Sequence, residues 1–277
     1  INTAKNMLEI DFKKCGFNNT DKIKKKSFKI IAGSLNDKII QNIIAEKKID
    51  VQNIQNRWEH YLISPFTSLH GKKQTGIIII GSDSRGTAYG MMQISEMIGV
   101  SPWYWWADAV IKPCAAIFIH PKQMIVDGPK VKYRGIFIND EAPALSNWSK
   151  EKFGGFNHLF YEKVFELMLR LKANYLWPAM WGNAFYDDDP LNKEMAEKYG
   201  IVIGTSHHEP LMRAHDEWRR HGKSAKWNYE THKEDLQTFW QKGMERATNE
   251  KVVTVGMRGD GDEPMTQKTA ISLLENI

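Results

Sequence analysis

The sequence predicts an α/β fold: a small N-terminal α/β domain followed by a unit of parallel strands that is either a doubly wound sheet or part of a TIM-type (β/α)8 barrel. Three observations predict it. Short β-branched runs alternate with amphipathic stretches along the chain; from Val131 onward the order strand, loop, helix repeats four times; and polar residues collect after each of those four strands. Crossover helices return the chain in one direction, which demands parallel strands, and parallel α/β folds carry their sites at the strands' carboxyl ends.

Residues 1–126 are read as the first domain. SerPheLysIleIleAla (27–32) is strand-like, Ser34 can cap a helix from Asp37 to Glu46, and GlyIleIleIleIle (76–80) reads as a fully buried strand. Asp83 can accept hydrogen bonds from the first turn of a helix. Tyr89, Met92, Met97 and Ile98 would supply that helix's apolar face, and Gly99 would stop it. A strand at Ala115–Ile119 is expected to close the domain.

On the barrel reading, residues 131–277 are the leading half of a barrel. Val131–Ile138 is the first strand; Tyr161, Val164, Phe165, Met168 and Leu171 share one helical face; AlaAsnTyrLeuTrpPro (173–178) is the second strand. Asp189 and Pro190 open a helix to Tyr199, Ile201–Gly204 is the third strand, and Thr231 with Glu234 forms a capping box. The helix that follows carries Leu236, Phe239, Trp240, Met244 and Ala247 on one side. Lys251–Met257 is the fourth strand, and Thr266 can cap a last helix. A complete barrel needs ~250 residues, so about half of it is expected beyond Ile277.

Composition narrows the class further. With 42% hydrophobic, 26% charged and 11% aromatic residues, the 277-residue chain is neither disordered, collagenous nor coiled coil. The net charge of +5 owes much to Lys22, Lys24, Lys25 and Lys26, a run that reads as a solvated turn, so no nucleic-acid partner is expected. Two cysteines, Cys15 and Cys114, are too few for a disulfide framework or a metal cluster, although one disulfide remains open. The absence of an apolar run of ~18 residues argues against a membrane span. Because the row begins at Ile1, a processed product is expected, with any export signal already removed.

The polar clusters point to a shared site. They are Asn139, Asp140 and Glu141 after the first strand; Trp177, Trp181 and Asn183 after the second; His207, His208 and Glu209 after the third; and Arg258, Asp260, Asp262 and Glu263 after the fourth. Asp187, Asp188 and Asp189 read mostly as a hydrated acidic loop with one cap. His207, His208 and Glu209 have the chemistry of metal ligands, but Pro210 forbids the helix that a zincin motif needs, so neither metal nor cofactor is expected. Arg258 among carboxylates is equally an internal ion pair or a bidentate anchor for a substrate carboxylate. Flat indole rings stack against sugars while Asp, Asn and His bond the hydroxyls, which suits Trp181. Trp103, Tyr104, Trp105 and Trp106 read better as packing near the domain boundary.

Six segments resemble the α-glucuronidases of glycoside hydrolase family 115: GlySerAspSerArgGlyThrAlaTyrGly (81–90), GlyValSerProTrpTyrTrpTrpAlaAsp (99–108), TyrArgGlyIlePheIleAsnAspGlu (133–141), AlaAsnTyrLeuTrpProAlaMetTrp (173–181), SerHisHisGluPro (206–210) and MetArgGlyAspGlyAspGlu (257–263). The resemblance implies an N-terminal α/β domain, a catalytic (β/α)8 barrel and further domains. It also implies inverting hydrolysis of the α-1,2 bond between (4-O-methyl)glucuronic acid and xylose in xylan. Carried over, it sets Asn139, Asp140, Trp181, His207, Arg258 and Asp262 around the uronic acid, with Glu209 as a weaker candidate. Asp262 or Asp140 would be the catalytic base; Asn139, Trp181, His207, Glu209 and Arg258 would bind substrate; and the acid catalyst would lie beyond Ile277.

The expected partner is therefore glucuronoxylan or its oligosaccharides, met outside the cytoplasm, with a homodimer left open for the full-length protein. Two rivals stand beside this reading. A non-catalytic carbohydrate-binding protein would need the aromatic residues but not four polar clusters. A metal-dependent sugar transferase would use Asp260 and Asp262 on a divalent cation.

Overall fold

The computed structural model describes residues 1–17, 28–139, 141–205, 209–222, 226–265 and 270–277, and for His215, Asp262, Ala270 and Ser272 the backbone alone. The chain forms two compact units, Ile1–Lys132 with Leu169–Ala173, and Tyr133–Met168 with Asn174–Ile277. Both mix helices with sheet.

The first unit contains α1 (Asn2–Lys14), β1 (Lys29–Ser34), α2 (Lys38–Lys47), β2 (Tyr61–Leu69), β3 (Lys72–Gly81), α3 (Ser84–Met97) and β4 (Ile125–Asp127). Its sheet runs β1-β3-β2-β4, with β1 parallel to β3 and the other pairs antiparallel. Ile77, Ile78, Ile79 and Ile80 are all buried because both faces of β3 are covered. Ile78 and Ile80 join Ile40 and Ile43 of α2 in one cluster, whereas a Cβ at Gly90 of α3 would lie 2.5 Å from Ile79. Asp83 caps α3 as expected, its Oδ1 accepting the Gly86 N–H at 2.7 Å.

Several expectations in this unit are corrected. Ser34 ends β1, and the cap of α2 is Asp37, whose Oδ2 accepts the Ser34 N–H at 2.7 Å. Met97 is 55% exposed and not on the buried face of α3. No strand forms at 115–119, where Phe118 is exposed; the free edge of β2 is taken by Ile125–Asp127, and strand propensity without a ladder partner does not make a strand. Tyr104 packs inside the unit, under Lys14 Nζ at 4.0 Å and Arg170 at 4.8 Å. Arg170 meets Asp11 in a two-pronged buried ion pair at 2.7 and 3.1 Å.

The second unit contains β5 (Gly135–Phe137), α4 (Ala144–Phe153), α5 (His158–Arg170), β6 (Tyr175–Trp177), α6 (Phe185–Asp188), α7 (Leu191–Tyr199), β7 (Val202–Ile203), α8 (His215–His221), α9 (Lys233–Arg246), a 3-10 turn at Asp260–Asp262 and α10 (Ala270–Asn276). Its sheet is parallel, in the order β5-β6-β7. Tyr161, Val164, Phe165 and Met168 are buried as the periodicity of α5 requires, but Leu171 lies past the helix and is exposed. Asp189 does cap, with Oδ1 accepting from Leu191 N–H at 2.9 Å.

Two further corrections fall here. The Thr231 hydroxyl bonds His232 Nδ1 at 2.8 Å and α9 begins at Lys233, so Thr231 forms no capping box. The fourth strand is reduced to one parallel bridge, Ile203 to Lys251, with Val252 N–H donating to Ile203 O at 3.0 Å. Beyond it, residues 253–257 have no ladder partner among the described residues. The cap assigned to Thr266 lies outside the described residues.

Candidate active site

Parallel order brings the segments that leave β5, β6 and β7 to one edge of their sheet. The backbones there approach closely. A Cβ at Gly135 would lie 1.5 Å from the Tyr175 carbonyl oxygen, so that position admits no larger residue, and one at Gly204 would lie 2.1 Å from the Tyr175 hydroxyl, which would have to shift. At the strand ends, the Phe137 and Trp177 rings stack with centroids 4.3 Å apart and planes 26° from parallel.

Glu141 ties the first two loops together. Its side chain is 1% exposed, and Oε1 accepts from the backbone N–H groups of Met180 at 3.0 Å and Trp181 at 2.6 Å. The Glu141 carbonyl accepts in turn from the Ser146 hydroxyl at 2.5 Å and from the Ser146 N–H, which joins the loop to α4. A carboxylate held this way is a splint for two loops.

The β6 loop is anchored a second time. Arg220 on α8 donates from Nη2 to the Gly182 carbonyl at 2.9 Å, from Nη1 to Asp188 at 2.5 Å and Asp187 at 3.1 Å, and from Nε to Asp216 at 2.8 Å. His221 Nε2 lies 2.9 Å from Asp187. Burial pushes the Asp187 carboxyl up, but its hydrogen bonds to His221 and Arg220 outweigh that and hold it below the ordinary carboxylate range. The expectation of a hydrated acidic loop is therefore corrected for Asp187 and Asp188.

The β7 loop ends in a strained turn. Leu211 (φ 58°) and Met212 (φ 62°) are consecutive non-glycine residues in the left-handed region, each costing about 1–3 kcal/mol. The Leu211 N–H donates to Thr254 O at 3.0 Å, and Arg213, buried next to them, binds Glu217 at 2.5 Å and the Phe239 carbonyl at 2.8 Å. Strain of this kind gathers at functional sites, and this turn follows Glu209, which is buried.

Of the residues expected at the site, Asn139 is exposed after β5, Trp181 is 43% exposed after β6, Glu209 is buried after β7, and Arg258 is exposed after the residual fourth strand. The Arg258 carbonyl accepts from Trp227 Nε1 at 2.9 Å, and the turn that follows is closed by Gly259 N–H donating to Glu263 O at 2.8 Å. Asp140, His207 and the Asp262 side chain lie outside the described residues, as does His208. Among the described residues no three His, Cys, Asp or Glu side chains are grouped to hold a metal, and no helix is long and apolar enough to cross a membrane.

Sequence reasoning set Glu141 in the first polar cluster of the shared site but gave it no role there, and it passed over Arg220. A signal for Arg220 existed: Asp216 and Arg220 stand at the i, i+4 spacing of a helical ion pair. Nothing in the linear order announced its reach to Asp187, Asp188 and Gly182.

The model of the family described as glycosyl hydrolase family 115 matches residues 126–277. A solved structure of BtGH115A, a family GH115 4-O-methyl-α-glucuronidase with specificity for decorated arabinogalactans, is 33% identical with a TM-score of 0.84. It covers 100% of this chain, which spans 36% of that protein's length. The structure of CpGH84D is 13% identical with a TM-score of 0.50, covering 88% of this chain and 36% of the other, a likeness of fold alone. A search of curated proteins finds no match.

Proposed function

The chain belongs to glycosyl hydrolase family 115, and on that premise we propose that it supplies the uronic acid subsite and the catalytic base of an inverting α-glucuronidase. In this reading residues 1–126 are an accessory α/β domain, and residues 131–277 are the first half of a (β/α)8 barrel. One observation carries it: the parallel sheet β5-β6-β7 sends the loops bearing Asn139, Trp181 and Glu209 to a single edge, with Arg258 following the strand bridged to β7.

The chemistry assigns each residue a part. Arg258 grips the uronate carboxylate with its planar two-donor fork, a contact that neutral xylose cannot offer. Asn139 and His207 bond sugar hydroxyls, and Trp181 offers its indole face to the C–H face of the ring. Glu209, buried beside the strained turn, reaches the substrate through a hydroxyl. Asp262 or Asp140 takes a proton from water; the water oxygen attacks the anomeric carbon as the bond to the leaving sugar breaks. A carboxylic acid on another segment of the full-length protein, ~6.5–9.5 Å from the base, donates its proton to the leaving oxygen.

The substrate is a plant polysaccharide carrying α-linked glucuronic acid, with glucuronoxylan placed first. The specificity of BtGH115A supplies a second reading, a decorated arabinogalactan. A polymer of either kind is met outside the cell, which favours export, and two copies of the full-length protein are compatible with it. The test is release of (4-O-methyl)glucuronic acid by the full-length protein from both polymers, beside calorimetry with glucuronate. Arg258→Ala is expected to weaken glucuronate binding by ~1.5–3 kcal/mol, and Lys to restore only part of it. Unchanged affinity in Arg258→Ala would return that residue to a structural role, and activity abolished by a chelator would favour the metal-dependent transferase.

A further inference from the structure

Trp181 is exposed, yet the backbone around it is pinned at three consecutive points. Its N–H donates to Glu141 Oε1 at 2.6 Å, its carbonyl accepts from Asn183 Nδ2 at 2.8 Å, and the next carbonyl, that of Gly182, accepts from Arg220 Nη2 at 2.9 Å. Gly182 has φ 70°, so the chain reverses in a conformation that glycine tolerates and that needs holding. The same guanidinium grips the far end of the loop. Its Nη1 binds Asp188 Oδ1, while Asp188 Oδ2 accepts the Ala184 N–H at 2.7 Å, and Asp187 is shared between Arg220, His221 at 2.9 Å and Arg246 at 3.7 Å.

One planar group thus closes the segment from Gly182 to Asp188 against α8 through donors on two nitrogens, while Asp216 of the same helix braces the third. A lysine, with a single nitrogen and no fixed plane, cannot hold Gly182, Asp188 and Asp216 together. Two of its acidic partners, Asp187 and Asp188, stand at the far end of the loop that Trp181 begins. The expected consequence is pre-organisation: an indole already fixed in its binding pose loses less freedom when a sugar stacks on it.

We propose that Arg220 is a positioning residue that sets the pose of Trp181 and thereby the affinity of the site for a uronic acid ring; the proposal rests on the reading above that Trp181 lines that subsite. Arg220 touches no substrate in this account. It acts through the Gly182 carbonyl and the acidic end of the loop.

The test uses the full-length protein with two readouts. In 5-fluorotryptophan-labelled protein, the Trp181 resonance, assigned by its disappearance in Trp181→Phe, is expected to shift and broaden in Arg220→Ala and to be only partly restored in Arg220→Lys. By calorimetry with glucuronic acid, Arg220→Ala is expected to bind about three- to tenfold more weakly. In a Trp181→Ala background the same change should cost nothing further, because the route it acts through is gone. An unmoved resonance, or an equal loss in the Trp181→Ala background, would overturn the positioning role while leaving the subsite intact. Glucuronic acid binding that is unaffected by Trp181→Ala would overturn the subsite reading itself, and with it the purpose assigned to Arg220.

Discussion

At the scale of single residues, the loops are governed by where backbone N–H groups find acceptors. Met180 is buried, and its N–H would cost about 1–3 kcal/mol if left without a partner. Glu141 supplies that partner for Met180 and for Trp181 with one oxygen. Glu141→Ala should therefore lower stability in urea unfolding by at least that amount, whereas Glu141→Gln, which keeps an amide oxygen as acceptor, should lose less. Equal stability in all three proteins would remove the splint. A Glu141→Gln protein that unfolds normally but has lost hydrolysis would make Glu141 a catalytic group instead. The sequence could name this glutamate as a polar residue after a strand, but not its role, because the acceptors and donors lie about forty residues apart.

At the scale of elements, legibility followed hydrogen-bonding order. Amphipathic helices such as α5, and the β3 run, were readable because their patterns depend on near neighbours. β2 was hidden by Pro65, which argues against a strand interior. The structure accommodates it because β4 pairs only with Tyr61–Ile63, leaving Pro65 where that edge carries no ladder. The tight His70–Gly71 connection to β3, with φ 48° and 71°, is a two-residue hairpin whose geometry suits the strand twist.

Asp189 shows how elements are joined as well as capped. Besides Leu191 it accepts from the His158 N–H at 3.0 Å and lies 2.6 Å from the His158 ring, so it ties the start of α5 to the start of α7. Burial raises its pKa, but the hydrogen bonds from His158 and Leu191 outweigh it and the net direction is down. A carboxyl that is more acidic folded than unfolded adds stability above its unfolded pKa, and that stability is lost as pH falls through the folded value. Thermal stability should therefore fall below about pH 4 in the parent protein. Asp189→Asn should start from a lower melting temperature and fall less steeply; parallel curves would show that Asp189 does not carry the tie.

At the scale of the whole molecule, the order of elements was legible while closure was not. Repeated strand, loop and helix imply parallel pairing, and β5, β6 and β7 pair in that manner. Closure of such a sheet depends on strands that pair beyond Lys251, which holds the sheet by a single bridge. The proposed mechanism turns on the same point. All seven residues assigned to substrate or base lie in this chain, but inverting hydrolysis needs a second carboxyl group on the opposite side of the scissile bond. This chain spans 36% of BtGH115A, and under the proposed mechanism the acid stands on a segment outside these 277 residues. Residues 1–277 expressed alone should thus release glucuronic acid from glucuronoxylan at a rate at least ~10²- to 10⁴-fold below that of the full-length protein, the usual cost of losing a general acid. The measurement is product release at matched concentration, with circular dichroism to confirm that the shorter protein is folded. Comparable turnover by a folded 277-residue protein would place both catalytic carboxyl groups among Asp140, Glu141, Glu209, Asp260, Asp262 and Glu263, and the assignment of the acid to a later strand would fall.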